Sequence, residues 1–151
     1  MEYDPNEPAE QLRSAAQGGD LARVRELLDG TIDINAFDEI GMTALHYAVE
    51  AKHIAIVKVL LEQGADVNAR HEPTNSNTVL SDAAETCSLE MARLLVQAGA
   101  DPTIRGWMGL NALDRARGRK RDDGPEVYQL LTQSTPSRPK TLPRIRQRRH
   151  E

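Results

Sequence analysis

Apolar positions along this chain recur with helical spacing, in pairs of short runs. Leu45, Ala48 and Val49 share one face of a first helix, and Ile56, Val57, Leu60 and Leu61 share one face of a second. The pair then repeats. Thr43 to Gly64 and Thr78 to Gly99 both span 21 residues, and between them Leu45 aligns with Leu80, Ala48 with Ala83, Ile54 with Leu89, Ile56 with Met91 and Val59 with Leu94. Gln63-Gly64-Ala65-Asp66-Val67-Asn68 closes the first of these segments and Gln97-Ala98-Gly99-Ala100-Asp101-Pro102 the second. Extended backward, the template sets Leu12, Ala15, Leu21, Val24 and Leu27 against Leu45, Ala48, Ile54, Val57 and Leu60. Extended forward, it runs through Asn111, Leu113 and Ala116, slips between Gly118 and Gly124, and recovers at Val127, Leu130 and Leu131. The periodicity predicts an all-α repeat domain over residues 1–135, built of four helix pairs at about 8–37, 38–70, 71–105 and 106–133.

Polar residues punctuate the pattern at one phase. Thr43 with His46, Thr78 with Ser81, and Asn111 with Asp114 each set a helix N-cap three residues ahead of a side chain able to reach back to it. The string Asp38-x-x-Gly41-x-Thr43-Ala44-Leu45-His46-x-Ala48, followed by Gly64-Ala65-Asp66-Val67-Asn68-Ala69, resembles the ankyrin repeat, whose signature reads D-x-x-G-x-T-P-L-H-x-A and then G-A-D-x-N-A. The likeness is sharpest over 38–70, continues through 71–104, and extends from about Pro8 to about Thr132. It implies an ankyrin-repeat solenoid whose end units are polar on their outer faces, a role that Glu10, Arg13, Gln17, Arg23 and Glu26 fill in the first unit.

Four departures from the family pattern carry expectations of their own. Ala44 replaces a proline at the first helical position and keeps a strong helix former there. Lys52 and Cys87 stand where the family prefers glycine, so a left-handed backbone at either costs on the order of 1 kcal/mol. The connection His71-Glu72-Pro73-Thr74-Asn75-Ser76-Asn77 is two residues longer than its counterparts and is expected to protrude. Arg119-Lys120-Arg121-Asp122-Asp123-Gly124-Pro125 is expected to form a polar loop inside the last unit.

The resemblance further implies that the loops before each first helix form fingers, which line a concave protein-binding surface with the outward side of the first helices. Carried over position by position, it gives Glu39, Ile40, Met42, Tyr47 and Glu50 from the second unit. The third unit gives His71, Glu72, Asn75, Asp82 and Glu85, and the fourth gives Trp107, Met108 and Leu110. Trp107, Met108 and Leu110 occupy finger positions that the repeat leaves free. Either they join Ile40 and Met42 in an apolar anchor, or Trp107 folds back onto the last unit's core. Glu39, Glu50, Glu72, Asp82 and Glu85 would make the same face acidic and attractive to a basic partner.

Composition adds three points. Hydrophobic residues make up 39% of the chain but aromatic ones only 3%, so the core is aliphatic and suits close helix packing. The net charge of −4 hides a split: Pro136 to Glu151 carries six Lys/Arg against Glu151, in a proline-broken tail expected to be disordered, and the remainder of the chain is strongly acidic. A single cysteine, no apolar run of about 18 residues, and an acidic start at Met1-Glu2-Tyr3-Asp4-Pro5 lead to the expectation of a cytoplasmic protein with no membrane contact.

Catalytic chemistry lacks a constellation. There is no Gly-rich phosphate loop, no metal spacing among His46, His53, His71 and His150, and no nucleophile motif around Cys87, so no catalytic residue, metal or cofactor is expected. His46 and His53 are read as structural, His71 stays open, and Glu85 and Glu90 are expected to raise the Cys87 thiol's pKa. The chain is therefore read as a protein-binding scaffold, adaptor or inhibitor, monomeric when unbound. A narrower form is an immunity-type inhibitor of a basic toxin or enzyme. A rival is nucleic-acid association through the basic tail and a second cluster at Arg115, Arg117, Arg119, Lys120 and Arg121.

Overall fold

The computed structural model describes residue 4 and residues 6–136. The expected disordered tail, apart from Pro136, lies outside the described residues. Among the described residues eight α-helices follow one another: α1 (Glu7–Gly18), α2 (Leu21–Leu28), α3 (Ala44–Glu50), α4 (Ile54–Glu62), α5 (Val79–Ala83), α6 (Leu89–Gln97), α7 (Ala112–Arg117) and α8 (Gly124–Gln133). Among the described residues there is no strand, and no helix is long and apolar enough to cross a membrane.

Each odd-numbered helix packs on the even-numbered one that follows it, and α1, α3, α5 and α7 pack side by side in a row. Small residues at the contacts, Ala16, Ala48, Ala83, Ala84 and Ala116, are all buried and let these helices approach closely. The second helices supply the larger apolar groups: Val24, Ile56, Val57, Leu60, Met91, Leu95, Val127 and Leu131 are fully buried. Burying each such side chain is worth roughly 1.5–3 kcal/mol, and these helices depend on it. Helix α3 has seven residues and α5 only five, far below the roughly 12–15 at which an isolated helix begins to hold in water.

Side-chain to backbone hydrogen bonds tie each unit to the next. Asn35 Oδ1 accepts from the Asp66 N–H at 2.7 Å, and Asn68 Oδ1 accepts from the Asp101 N–H at 2.7 Å, one repeat later in each case. Arg13 and His46, at equivalent places in α1 and α3, reach forward to the carbonyls of Ala36 (3.3 Å) and Asn77 (2.9 Å). Arg13 is therefore buried between units and is not part of a polar outer face. The outer end of α1 and α2 is instead a network in which Arg23 bonds Gln11 and Glu26, and Gln11 bonds Glu7. His53 reaches back to the Gln17 carbonyl at 3.2 Å, in keeping with its structural reading.

The glycine departures resolve differently from one another. Lys52 takes φ 63°, the left-handed conformation that Gly19 takes at the equivalent turn in the first unit with φ 79°. Cys87 does not: α5 ends early, and the Thr86 and Cys87 amides both bond to the Ala83 carbonyl, a looser turn that keeps φ negative. The Cys87 side chain is then buried in the core.

Lys52→Gly is expected to raise unfolding stability in urea by about 0.5–1 kcal/mol, because it relieves a left-handed non-glycine residue. Cys87→Gly should instead destabilise, by roughly 1–2 kcal/mol, since it deletes a buried side chain and relieves no strain. Equal gains from both substitutions would contradict this assignment of the two turns.

Candidate functional site

The second finger is built around Asp38. Its Oδ1 accepts from the Ile40 and Met42 amides at 3.1 and 2.9 Å, its own N–H bonds back to the Met42 carbonyl at 2.9 Å, and the Tyr47 hydroxyl donates to Oδ2. Partial burial pushes the Asp38 carboxyl up, but the Tyr47 hydroxyl, the two amides and the Arg13 charge outweigh it and hold its pKa below the ordinary value. The hydrogen bond to Asp38, with burial and the carboxylate charge behind it, pushes the Tyr47 pKa up to about 12. Held this way, the turn presents Ile40 at 63% exposure.

The third finger closes on itself. His71 and Ser76 exchange hydrogen bonds, Arg70 binds the Ser76 carbonyl and the Asn75 side chain, and Asn75 sits at φ 49°. The expected protrusion is present at Glu72 to Asn75, which are exposed. His71 is half-buried, with its ring 5.0 Å from that of Phe37 and Nδ1 3.1 Å from Thr74 Oγ1.

The fourth finger is a tight turn from Gly106 to Leu110, closed by the Gly106 N–H to the Leu110 carbonyl at 3.0 Å. Met108 is left-handed there, with φ 60°, a conformation that costs a non-glycine residue on the order of 1 kcal/mol. Its side chain is 68% exposed, beside Trp107 at 58% and Leu110 at 36%. Trp107 has therefore not folded back onto the core.

Two glycines let the three fingers nest. A Cβ at Gly41 would meet Thr74, His71 and Ser76 within about 3 Å, and one at Gly106 would meet Asn77 and the Ser76 carbonyl. Fingers two and four thus both press on finger three, and Ser76 is the residue they share. Asn77 joins them further, since its carbonyl accepts from His46, its Oδ1 accepts from the Trp107 amide at 2.8 Å, and its Nδ2 donates to Asp82 at 2.7 Å.

Between fingers and first helices lie two clefts. One, of about 530 Å³, is lined by Glu39, Ile40 and Tyr47 together with Asn6, Glu10, Arg13, Ser14, Gln17 and Asp38. The other, of about 370 Å³, is lined by Met42, Glu50 and Asp82 together with His46, Val49, Lys52, Val79, Ala83, Thr86 and Cys87. Six of the residues expected from the sequence thus fall in two adjacent depressions. Glu72 lines a different hollow, with Asn35, Asp66, Asn68 and Ile104, and Glu85 lines neither cleft. Among the residues that sequence reasoning missed are those of the first unit. Shifting Glu39, Tyr47 and Glu50 back by one repeat lands on Asn6, Ser14 and Gln17, so the template already contained the signal.

The face is less uniformly acidic than its sequence suggests. Glu72 lies 3.9 Å from Arg70, Glu85 lies 3.9 Å from Arg115, and Asp82 is bonded to Asn77. Glu10, Glu39 and Glu50 have no ion pair among the described residues. The second basic cluster is likewise used internally. Arg119, with no side-chain exposure, donates to the Ala84 and Cys87 carbonyls and to Asp123, and Arg121 donates to the Thr86 carbonyl. Arg117 bonds the Tyr128 hydroxyl and covers its ring. That leaves only Lys120 of the five free of such contacts among the described residues. The Cys87 thiol's pKa is raised, as expected, but by burial. The nearest strong charge is Arg119, which opposes the shift, and not the glutamates.

A family model of ankyrin repeats in three copies matches residues 12–106. Over 122 residues the chain is 33% identical to the E3 ubiquitin-protein ligase hecd-1 of Caenorhabditis elegans, and over a stretch of the same length 34% identical to the E3 ubiquitin-protein ligase Ufd4 of Drosophila melanogaster. Each match covers 80% of this chain but 4% of the relative. The palmitoyltransferase Hip14 of Drosophila melanogaster is 36% identical over 110 residues, 73% of this chain and 17% of that protein. The chain thus spans a small fraction of relatives whose named activities differ, and what they share with it is the repeat.

His46 makes the stack sensitive to pH. Its Nδ1 accepts from the Thr43 N–H while Nε2–H donates to Asn77, so the bridging ring is neutral, and burial lowers its pKa below the ordinary 6.5. The unfolded chain takes the proton first, so the contribution is complete above pH 6.5 and lost as pH falls towards the folded pKa. The urea midpoint should drop between pH 7 and 5.5, with a slope of at most about 1.4 kcal/mol per pH unit. His46→Gln should remove most of that slope, and an unchanged slope in the variant would contradict the bridge.

Proposed function

The chain belongs to the ankyrin-repeat family, and from that premise we propose that it binds a partner protein across its concave face, between the fingers and the first helices. Ankyrin repeats are protein–protein interaction modules. The observation that carries the choice of face is the fourth finger, where Trp107, Met108 and Leu110 are held out to solvent by a turn that includes a left-handed methionine. Exposed apolar side chains on a strained, well-anchored turn suit an interface anchor and have no packing role in the stack.

The two clefts supply the rest of the surface. Glu10, Glu39 and Glu50 around them favour a basic partner and predict binding that weakens as salt rises. Masking a basic surface in this way fits the inhibitor form of the role. A nucleic-acid role finds no support among the described residues, since the arginines of the last unit are already bonded within the protein.

Site-specific photo-crosslinking in native extract tests the face. A photo-reactive residue at Tyr47 or Met108 should capture a discrete partner. The same group at Lys58 or Arg93, exposed on α4 and α6, should not. Capture only from Lys58 or Arg93 would refute the proposal.

A further inference from the structure

We propose that the partner docks through one extended segment that carries a basic side chain and, about seven residues away, a large apolar one. The basic group seats in the cleft between the first two units and the apolar group on the Trp107 finger. This deepens the reading of the concave face and rests on it.

The apolar end is the fourth finger. Trp107, Met108 and Leu110 are all exposed, and the finger is fixed from behind by the Asn77 side chain on the Trp107 amide and by Arg105 bonded to the Gly109 carbonyl. A finger held this firmly loses little conformational freedom when it is covered, which is the condition under which apolar contacts become hot spots.

Charge sets the other end. The larger cleft holds three carboxylates, Glu10, Asp38 and Glu39, and one guanidinium, Arg13. Arg13 is buried and donates to Ala36, while the Asp38 oxygens are occupied by Tyr47, Ile40 and Met42. What the cleft offers a guest is therefore Glu10 and Glu39, both exposed and neither ion-paired among the described residues. A partner's Arg or Lys is the complementary group.

Geometry links the two ends. The cleft lies between α1 and α3, and the Trp107 finger precedes α7, about two and a half helix spacings along the row. At roughly 8–10 Å per packed helix that is about 20–25 Å, and at about 3.3 Å per extended residue it corresponds to six to eight residues. A polypeptide segment suits this separation, carrying one group to each end. The nested fingers give it an edge to follow, because Gly41 and Gly106 both press on Ser76 of the finger between them.

Selection of random 16-residue phage-displayed peptides on the immobilised full chain tests the proposal. Enriched sequences should pair Arg or Lys with an aromatic or large aliphatic residue six to eight positions away. The affinity of a selected synthetic peptide should fall about tenfold with Glu39→Lys, and separately about tenfold with Trp107→Ala. Both positions are exposed, so circular dichroism and the urea midpoint should stay as in the parent. Enriched peptides without a basic residue, or without a fixed separation, overturn this inference and leave the concave-face reading intact. Peptides that bind but are unaffected by both substitutions, or the absence of any enriched peptide, likewise overturn this inference; the concave-face reading falls only by the crosslinking test.

Discussion

No helix pair in this chain is long enough to stand alone, so everything depends on what one unit does for the next. Apolar burial supplies most of the energy, but burial is non-directional and would tolerate neighbours that slide or tilt. The directional part comes from side chains that cross between units to backbone groups: Asn35 to Asp66, His46 to Asn77, Asn68 to Asp101 and Asn77 to Trp107. Each satisfies a loop amide or carbonyl that would otherwise lack a protein partner, and each fixes the register of a finger or turn on its neighbour.

The crossings thin out where the sequence departs from its pattern. Ser81 occupies the place of His46 but is too short to reach the fourth unit, and its hydroxyl is buried without a partner. Other residues take over there. Asn77 ties down the Trp107 finger, and Arg119 ties the last interhelix loop to the Ala84 and Cys87 carbonyls. The last unit is thus irregular in sequence yet anchored, and its basic residues serve that anchoring.

The repeat was legible in the sequence because it is written in several independent signals at one phase: helical apolar spacing, caps at Thr43, Thr78 and Asn111, and the Gly-Ala-Asp closure. The finger residues Ile40, Trp107, Met108 and Leu110 were legible as well, because large apolar groups at free positions have no place in the stack. Three things were hidden. Arg13 looks like a surface residue until its burial and its bond to the Ala36 carbonyl are seen. Glu85 reads as part of an acidic face, although Arg115 of the next unit sits beside it; the arginine beside Glu72 is only two residues away in the sequence. The turn at Cys87 escapes the left-handed conformation only because α5 stops early, a backbone choice that periodicity does not encode.

If crossings between units hold the groove in its binding-ready shape before any partner arrives, the amides they bind are protected although they sit in loops. Native-state hydrogen exchange on the free protein measures this at Asp66, Asp101 and Trp107. The account predicts slow exchange at all three, with Asn35→Ala, Asn68→Ala and Asn77→Ala each releasing the one amide that the mutated side chain binds. Exchange at unprotected rates in the parent protein would contradict it, and the fingers would then be ordered by something other than these crossings.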